Sequence, residues 1–161
     1  MHFRVDYLAD HPDAIPVLAK WLFDEWGHRS PDGSVEGMAD NLRERLRRDR
    51  LPLALVALGH GEPIGTVSLK MREVEIRPQY EHWLGTLFVP KASRRKGVGS
   101  LLVEAGADEA RRLGIRELYL YTRHSETERL YAGLGWAEVE RPEYRASPAV
   151  IMKRILNRSG T

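Results

Sequence analysis

The sequence predicts a single α/β domain on a mixed, mostly antiparallel sheet with flanking helices, and three stretches carry that prediction. Leu53 to Leu58, the turn Gly59-His60-Gly61-Glu62 and Ile64 to Leu69 read as a β-hairpin. His82 to Val89 reads as a buried strand that enters a short basic loop and then a helix opening on Gly97 and Gly99. That helix, from about Gly97 to Leu113, leads to a buried strand at Ile115 to Thr122. A crossover of this length lets the strands at Leu84 and Leu118 lie parallel.

The remaining elements follow in order. Phe3 to Leu8 is a first strand, and Asp10 or Asp13 can cap a helix with Ile15, Leu18, Ala19, Leu22 and Trp26 on one face. Pro16 fits only in its first turn. Gly27 to Gly33 is a polar loop, after which Ser34 can cap a second helix. Val35, Met38, Ala39, Leu42 and Leu46 point inward there, Arg43, Glu44, Arg47 and Arg48 point outward, and Pro52 marks the end. A polar connection from Arg72 to Glu81 is expected to be the most flexible segment. The long helix turns Val98, Leu101, Leu102, Ala105 and Leu113 inward and stops at Gly114. Ser125-Glu126-Thr127-Glu128 reads as a capping box for a short helix ending near Leu134-Gly135. Strands at about Trp136 to Arg141 and Ala149 to Ile155 close the sheet. The domain is expected over residues 1–156, with 157–161 as a frayed tail.

The loop from Arg94 to Ser100 is suited to an anion. First-turn amides of a helix lack intrahelical partners and carry the positive end of the dipole, and Arg94, Arg95 and Lys96 add charge around bare backbone at Gly97 and Gly99. A diphosphate-bearing ligand follows. Gly97-Val98-Gly99-Ser100-Leu101 lacks the Gly-Lys-Ser/Thr of a P-loop. The third small residue of a dinucleotide fingerprint is replaced by Leu102, and no ribose-binding acid follows at the required distance.

What remains, Arg94-x-x-Gly97-x-Gly99 behind a strand, resembles the acetyl-CoA signature of the GNAT N-acetyltransferase superfamily. The resemblance continues in order along the chain. Gly61-Glu62-Pro63-Ile64-Gly65-Thr66-Val67 looks like the family's hairpin into its third strand, and Leu130-Tyr131-Ala132-Gly133-Leu134-Gly135-Trp136 looks like its late helix. The resemblance implies a GNAT-like sheet whose two parallel strands, Leu84 to Val89 and Leu118 to Thr122, splay apart to admit a pantetheine arm. It implies acetyl-CoA as cosubstrate, contacted by Leu87, Phe88 and Val89, by Arg94, Arg95, Lys96, Gly97, Val98, Gly99 and Ser100, and by His124, which stands where relatives carry asparagine. Tyr131 matches the family's general acid. Trp83 occupies the strand position that often holds a catalytic glutamate, so Glu81 or His82, acting through water, are the candidate bases, and Trp83 is assigned to the substrate cleft.

Bulk properties agree. A chain of 161 residues, 42% hydrophobic and 30% charged, supports one core. The absence of cysteine excludes disulfides, zinc-thiolate sites and a cysteine-borne intermediate, and the six histidines show no metal-ligand spacing. With no apolar run of membrane length and no secretory pattern, the expectation is a cytoplasmic protein without a membrane or metal. The net charge of +2 favours anionic ligands without requiring nucleic acid, and the arginines of Arg43 to Arg50 read as a solvated face. The predicted activity is acetyl transfer to a primary amine by direct attack in a ternary complex. Glu73, Glu75 and Glu81 would suit a cationic acceptor, and a homodimer stays open. The alternative is a catalytically silent acyl-CoA-binding module, and a third reading is a basic nucleic-acid binder.

Overall fold

A computed structural model describes residues 2–27 and 33–157. Most of the polar loop at Gly27 to Gly33, and all of the tail beyond Asn157, therefore lie outside the described residues. The strands are β1 (Phe3–Tyr7), β2 (Leu53–Gly59), β3 (Glu62–Met71), β4 (His82–Phe88), β5 (Glu117–Thr122), β6 (Ala137–Glu140), β7 (Glu143–Tyr144), β8 (Ser147–Pro148) and β9 (Val150–Ile155). The helices are α1 (Ile15–Trp26), α2 (Val35–Arg43), α3 (Val98–Arg112) and α4 (Ser125–Gly133).

Seven strands form one sheet in the order β1-β2-β3-β4-β5-β9-β6, and β7 and β8 pair separately as a hairpin. Every neighbouring pair is antiparallel except β4 and β5, which the α3 crossover makes parallel as its length predicts. The uninterrupted run Leu53-Ala54-Leu55-Val56-Ala57-Leu58 is buried throughout because the sheet is covered on both faces. Leu53, Leu55 and Ala57 pack under α3, while Ala54, Val56 and Leu58 pack against α1 and α2. Close approach of α3 depends on Gly106, where a Cβ would stand 2.8 Å from Leu84 Cδ1.

Several local expectations need correction. The α1 N-cap is Ala14 without a side-chain bond, so neither Asp10 nor Asp13 caps it; a 3-10 turn ending at Ala14 leads in, and Asp10 pairs with Arg48. Ser34 does cap α2, accepting from the Gly37 amide at 2.9 Å. That helix ends at Arg43, well before Pro52, and Val35 faces solvent in its first turn. Leu101 is exposed on α3, whose inner face runs instead through Val98, Leu102, Val103, Gly106, Ala107 and Ala110. The Ser125–Glu128 capping box does not form: His124 is the N-cap, and Thr122 and Thr127 take up the local hydrogen bonds.

The connection expected to be most flexible is clasped. Arg77 donates to Glu140 Oε1 through Nε at 2.9 Å and Nη2 at 2.6 Å, and Tyr80 donates to Glu140 Oε2 at 2.6 Å. Tyr144 donates to Glu75 Oε2 at 2.7 Å. The β3–β4 connection is thereby tied to the end of β6 and to the β7–β8 hairpin.

Candidate active site

Two features of β4 shape the site. Ser68 lies opposite Gly85 and Thr66 opposite Phe88, so Val67 alone faces both Thr86 and Leu87. This is a β-bulge, with Thr86 in the left-handed region at φ +52°. The extra residue shifts the alternation. Leu84, Leu87 and Val89 all pack on the α3 side, while Phe88 turns to the other face against Trp21 and Trp26, with ring centroids 5.9 and 6.1 Å away.

The second feature is the parting of β4 from β5. Among the described residues the parallel pair has one register match, Trp83 with Tyr119. Beyond it, Gly85 to Phe88 and Leu120 to Thr122 run on without laddering to each other, leaving a wedge between two strand ends.

The loop leaving this wedge builds the cradle. Gly97 is the α3 N-cap at φ +83°, a conformation that glycine adopts without a Cβ penalty. Arg95 is also left-handed, at φ +63°. No side chain caps α3, and among the described residues the amides of Gly97, Val98, Gly99 and Ser100 have no acceptor. Gly99 leaves open space, since a Cβ there would find its nearest neighbour, Val89 Cγ2, only at 4.0 Å. Arg94 does not reach into that space: its Nε donates to Val89 O at 2.8 Å and its guanidinium lies 5.9 Å from the Phe88 ring centre. Arg95 and Lys96 are exposed.

Tyr131 stands on α4 in the hydrophobic cluster that Leu87 and Val89 also join, edge-on to Trp136 at 6.2 Å. It is 6% exposed, and burial pushes its hydroxyl up to about 12. No described group hydrogen-bonds that hydroxyl, yet it is not sealed, because the one sealed unpartnered polar side-chain atom there is Trp136 Nε1. His124 is exposed, and its backbone, not its ring, makes the recorded bonds.

Trp83, by contrast, is fully buried, and its indole donates to Tyr80 O at 2.7 Å. It supports the wall between the strands and presents no surface to a ligand. Glu81 and His82 lie 3.8 Å apart at the opening of β4. Five residues of strand, about 16 Å, separate His82 from Leu87.

Of the polar group beside the bulge, sequence reasoning named only Glu73. Ser68 and Lys70 project from β3 on the face of Gly85. Arg45 Nη1 donates to Ser68 Oγ at 3.0 Å, and Lys70 Nζ donates to Glu73 Oε1 at 3.0 Å. The alternation Thr66, Ser68, Lys70 between Val67 and Leu69 was the signal, marking one polar stripe inside a covered strand. Burial lowers the pKa of both Arg45 and Lys70, and Glu73 offsets part of that effect in each.

A separate open cleft of about 500 Å³ lies between β1 and α3, at the sheet edge away from the wedge. Its Glu109 is bound by Tyr7 and Arg112 and its Asp10 by Arg48. No group of three or more potential metal ligands occurs among the described residues, and no described helix is long and apolar enough to cross a membrane.

Comparison with solved structures gives the same architecture. Ard1 from Thermoplasma volcanium superposes with a TM-score of 0.75 at 18% identity, covering 98% of this chain and 100% of that one. The ribosomal-protein-S18-alanine N-acetyltransferase from Escherichia coli gives 0.69 at 23% identity, covering 99% and 97%. YncA, a putative acetyltransferase from Salmonella typhimurium solved with its cofactor acetyl-CoA, gives 0.73 at 16% identity, covering 99% and 96%. A search of curated sequences found no significant match. The sequence model of the acetyltransferase (GNAT) family matches residues 15–136, and with that span holding the bulged strand, the splayed pair and the glycine-opened helix, the chain belongs to that family.

Proposed function

We propose that the protein transfers an acetyl group from acetyl-CoA to a primary amine by direct attack in a ternary complex. The observation that carries this reading is the wedge between β4 and β5, continuous with the open amides at Gly97 to Ser100. Extended backbone beside a strand edge suits the amides of a pantetheine arm, and a helix N-terminus suits a pyrophosphate. Family membership and the acetyl-CoA or coenzyme A bound in YncA and in PaiA from Thermoplasma acidophilum support the same ligand. Leu87, Phe88 and Val89 would then meet the acyl end, and Arg95, Lys96 and the following amides the phosphates.

Acetyl transfer needs a neutral amine, a stabilised oxyanion and a leaving thiol. The Leu87 amide at the bulge supplies a positioned dipole for the oxyanion. Tyr131 supplies a hydroxyl for the sulfur. Its pKa of about 12 keeps it protonated at neutral pH. Full transfer to a thiolate of about 8.5 would be uphill by roughly 3.5 units, or about 4.8 kcal/mol. Tyr131 therefore acts as a hydrogen-bond donor to the departing sulfur, and the proton the thiol retains comes ultimately from the acylated nitrogen.

The silent acyl-CoA-binding module remains the second reading, and the burial of Trp83 at the usual base position favours it. Calorimetry with coenzyme A, followed by thiol-release assays with acetyl-CoA and a panel of primary amines, separates the two. Binding with turnover supports the transferase; binding without turnover supports the module; no binding overturns both.

A further inference from the structure

Resting on the transferase reading, we propose that Glu73, held by Lys70 in front of Gly85, receives the ammonium group of the acceptor. Gly85 lies on β4 one residue before the bulged Thr86 and is partly exposed. Its missing side chain leaves a recess in which the nearest atoms to a built Cβ are Lys70 Nζ at 3.6 Å, Lys70 Cε at 3.7 Å and Glu73 Oε1 at 3.9 Å. Arg72, where the chain leaves β3, is left-handed at φ +48°, and Lys70 Nζ holds the Glu73 carboxylate that follows at 3.0 Å. The ion pair is only partly shielded, with side-chain exposures of 15% for Lys70 and 24% for Glu73.

This carboxylate has the placement that Glu81 and His82 lack. It stands 3.9 Å from the position of a Cβ on Gly85, two residues before Leu87 and next to the bulge. The neighbouring charges are Lys70 on β3, Arg45 beyond the end of α2 and, through Arg45, Glu44. An incoming ammonium must share one partly shielded carboxylate with Lys70, and that crowding favours loss of a proton.

The step balances as follows. The acceptor ammonium gives one proton to Glu73, directly or through water, and the freed lone pair attacks the acetyl carbon. The C–N bond forms, the C–S bond breaks with its electron pair going to sulfur, and the second proton on the nitrogen passes to that sulfur. The products are an amide, a thiol and one proton released through Glu73 to solvent.

The test is Glu73→Gln in the full chain, assayed with the amine panel and by coenzyme calorimetry. We expect kcat/KM for the amine to fall about 100-fold or more, the acid limb of its pH profile to change, and coenzyme affinity to stay within twofold. Gly85→Ala provides a second variant, since its Cβ fits the recess at the distances above; amine KM should rise about tenfold with coenzyme affinity retained. Wild-type turnover kinetics in both variants would overturn the role of Glu73 and leave the transferase reading standing. Coenzyme binding without thiol release from any amine, or no coenzyme binding by the unaltered protein, would overturn both.

Discussion

Trp83 and Tyr119 face each other across the parallel strands, their ring centroids 5.6 Å apart at 40°, and Tyr80 completes a triangle, stacked on Tyr119 at 4.3 Å and 6.3 Å from Trp83. This aromatic stack fixes the point at which β4 and β5 part. Trp83→Ala should cost about 3–5 kcal/mol of unfolding free energy in a urea titration, as expected for a fully buried tryptophan. Trp83→Phe keeps most of the packing and loses the bond to Tyr80 O, so its cost should be closer to about 1 kcal/mol.

The two cradle glycines should fail differently. A side chain at Gly99 meets open space, so Gly99→Glu should leave stability within about 0.5 kcal/mol while placing a carboxylate against the coenzyme's phosphates. Coenzyme affinity should drop at least tenfold by calorimetry. Gly97→Ala should instead lose about 1 kcal/mol of stability, because φ is +83° there.

Tyr131→Phe removes a hydroxyl with no described protein partner, so thermal stability should hold while kcat falls about 100-fold or more. Because burial holds this phenol near 12, the wild-type rate should show no alkaline limb from Tyr131 below about pH 11. An unchanged kcat would remove Tyr131 from the mechanism.

The clasp that joins the β3–β4 connection to β6 and the hairpin should set the pH range of stability. Hydrogen bonds from Arg77 and Tyr80 lower the Glu140 pKa, and the bond from Tyr144 lowers that of Glu75. Carboxylates depressed in the folded state stabilise it above their unfolded pKa, about 4.3, and lose that contribution as pH falls through the folded value. Tyr144 is shifted the other way: burial, then its bond to Glu75, push it up to about 12. Its contribution is complete below about pH 10 and is lost as pH rises through the folded value. Melting temperature should therefore be flat from about pH 5 to 10 and fall on both sides. Glu140→Ala should flatten the acid edge and speed proteolysis within residues 72–81.

Much of this architecture was legible because its signals are local. The β2–β3 hairpin, the glycine-opened helix, the parallel crossover and the Ser34 cap are written in short-range patterns. The β7–β8 hairpin was not, because its turn residues Arg145 and Ala146 adopt φ +52° and +64° without the glycine or asparagine that normally marks such a turn. Thr86 hides the bulge for the same reason. The placing of β9 between β5 and β6, and the gathering of Arg45, Ser68, Lys70 and Glu73 beside Gly85, depend on contacts between distant elements that no sequence window contains. The basic row from Arg43 to Arg50 was legible as charge, but not as structure: Arg45, Arg47 and Arg48 bind Ser68, Leu51 O and Asp10 respectively.

The irregularity at Thr86 makes backbone conformation, more than side-chain identity, the sensitive variable in this segment. Drawing the same residues into a regular pleat would invert everything downstream: Leu87 and Val89 would be expelled from beneath α3, and Phe88 would be driven into it. Homologous sequences of this length should thus vary in side chain between Gly85 and Phe88 while keeping a left-handed residue there.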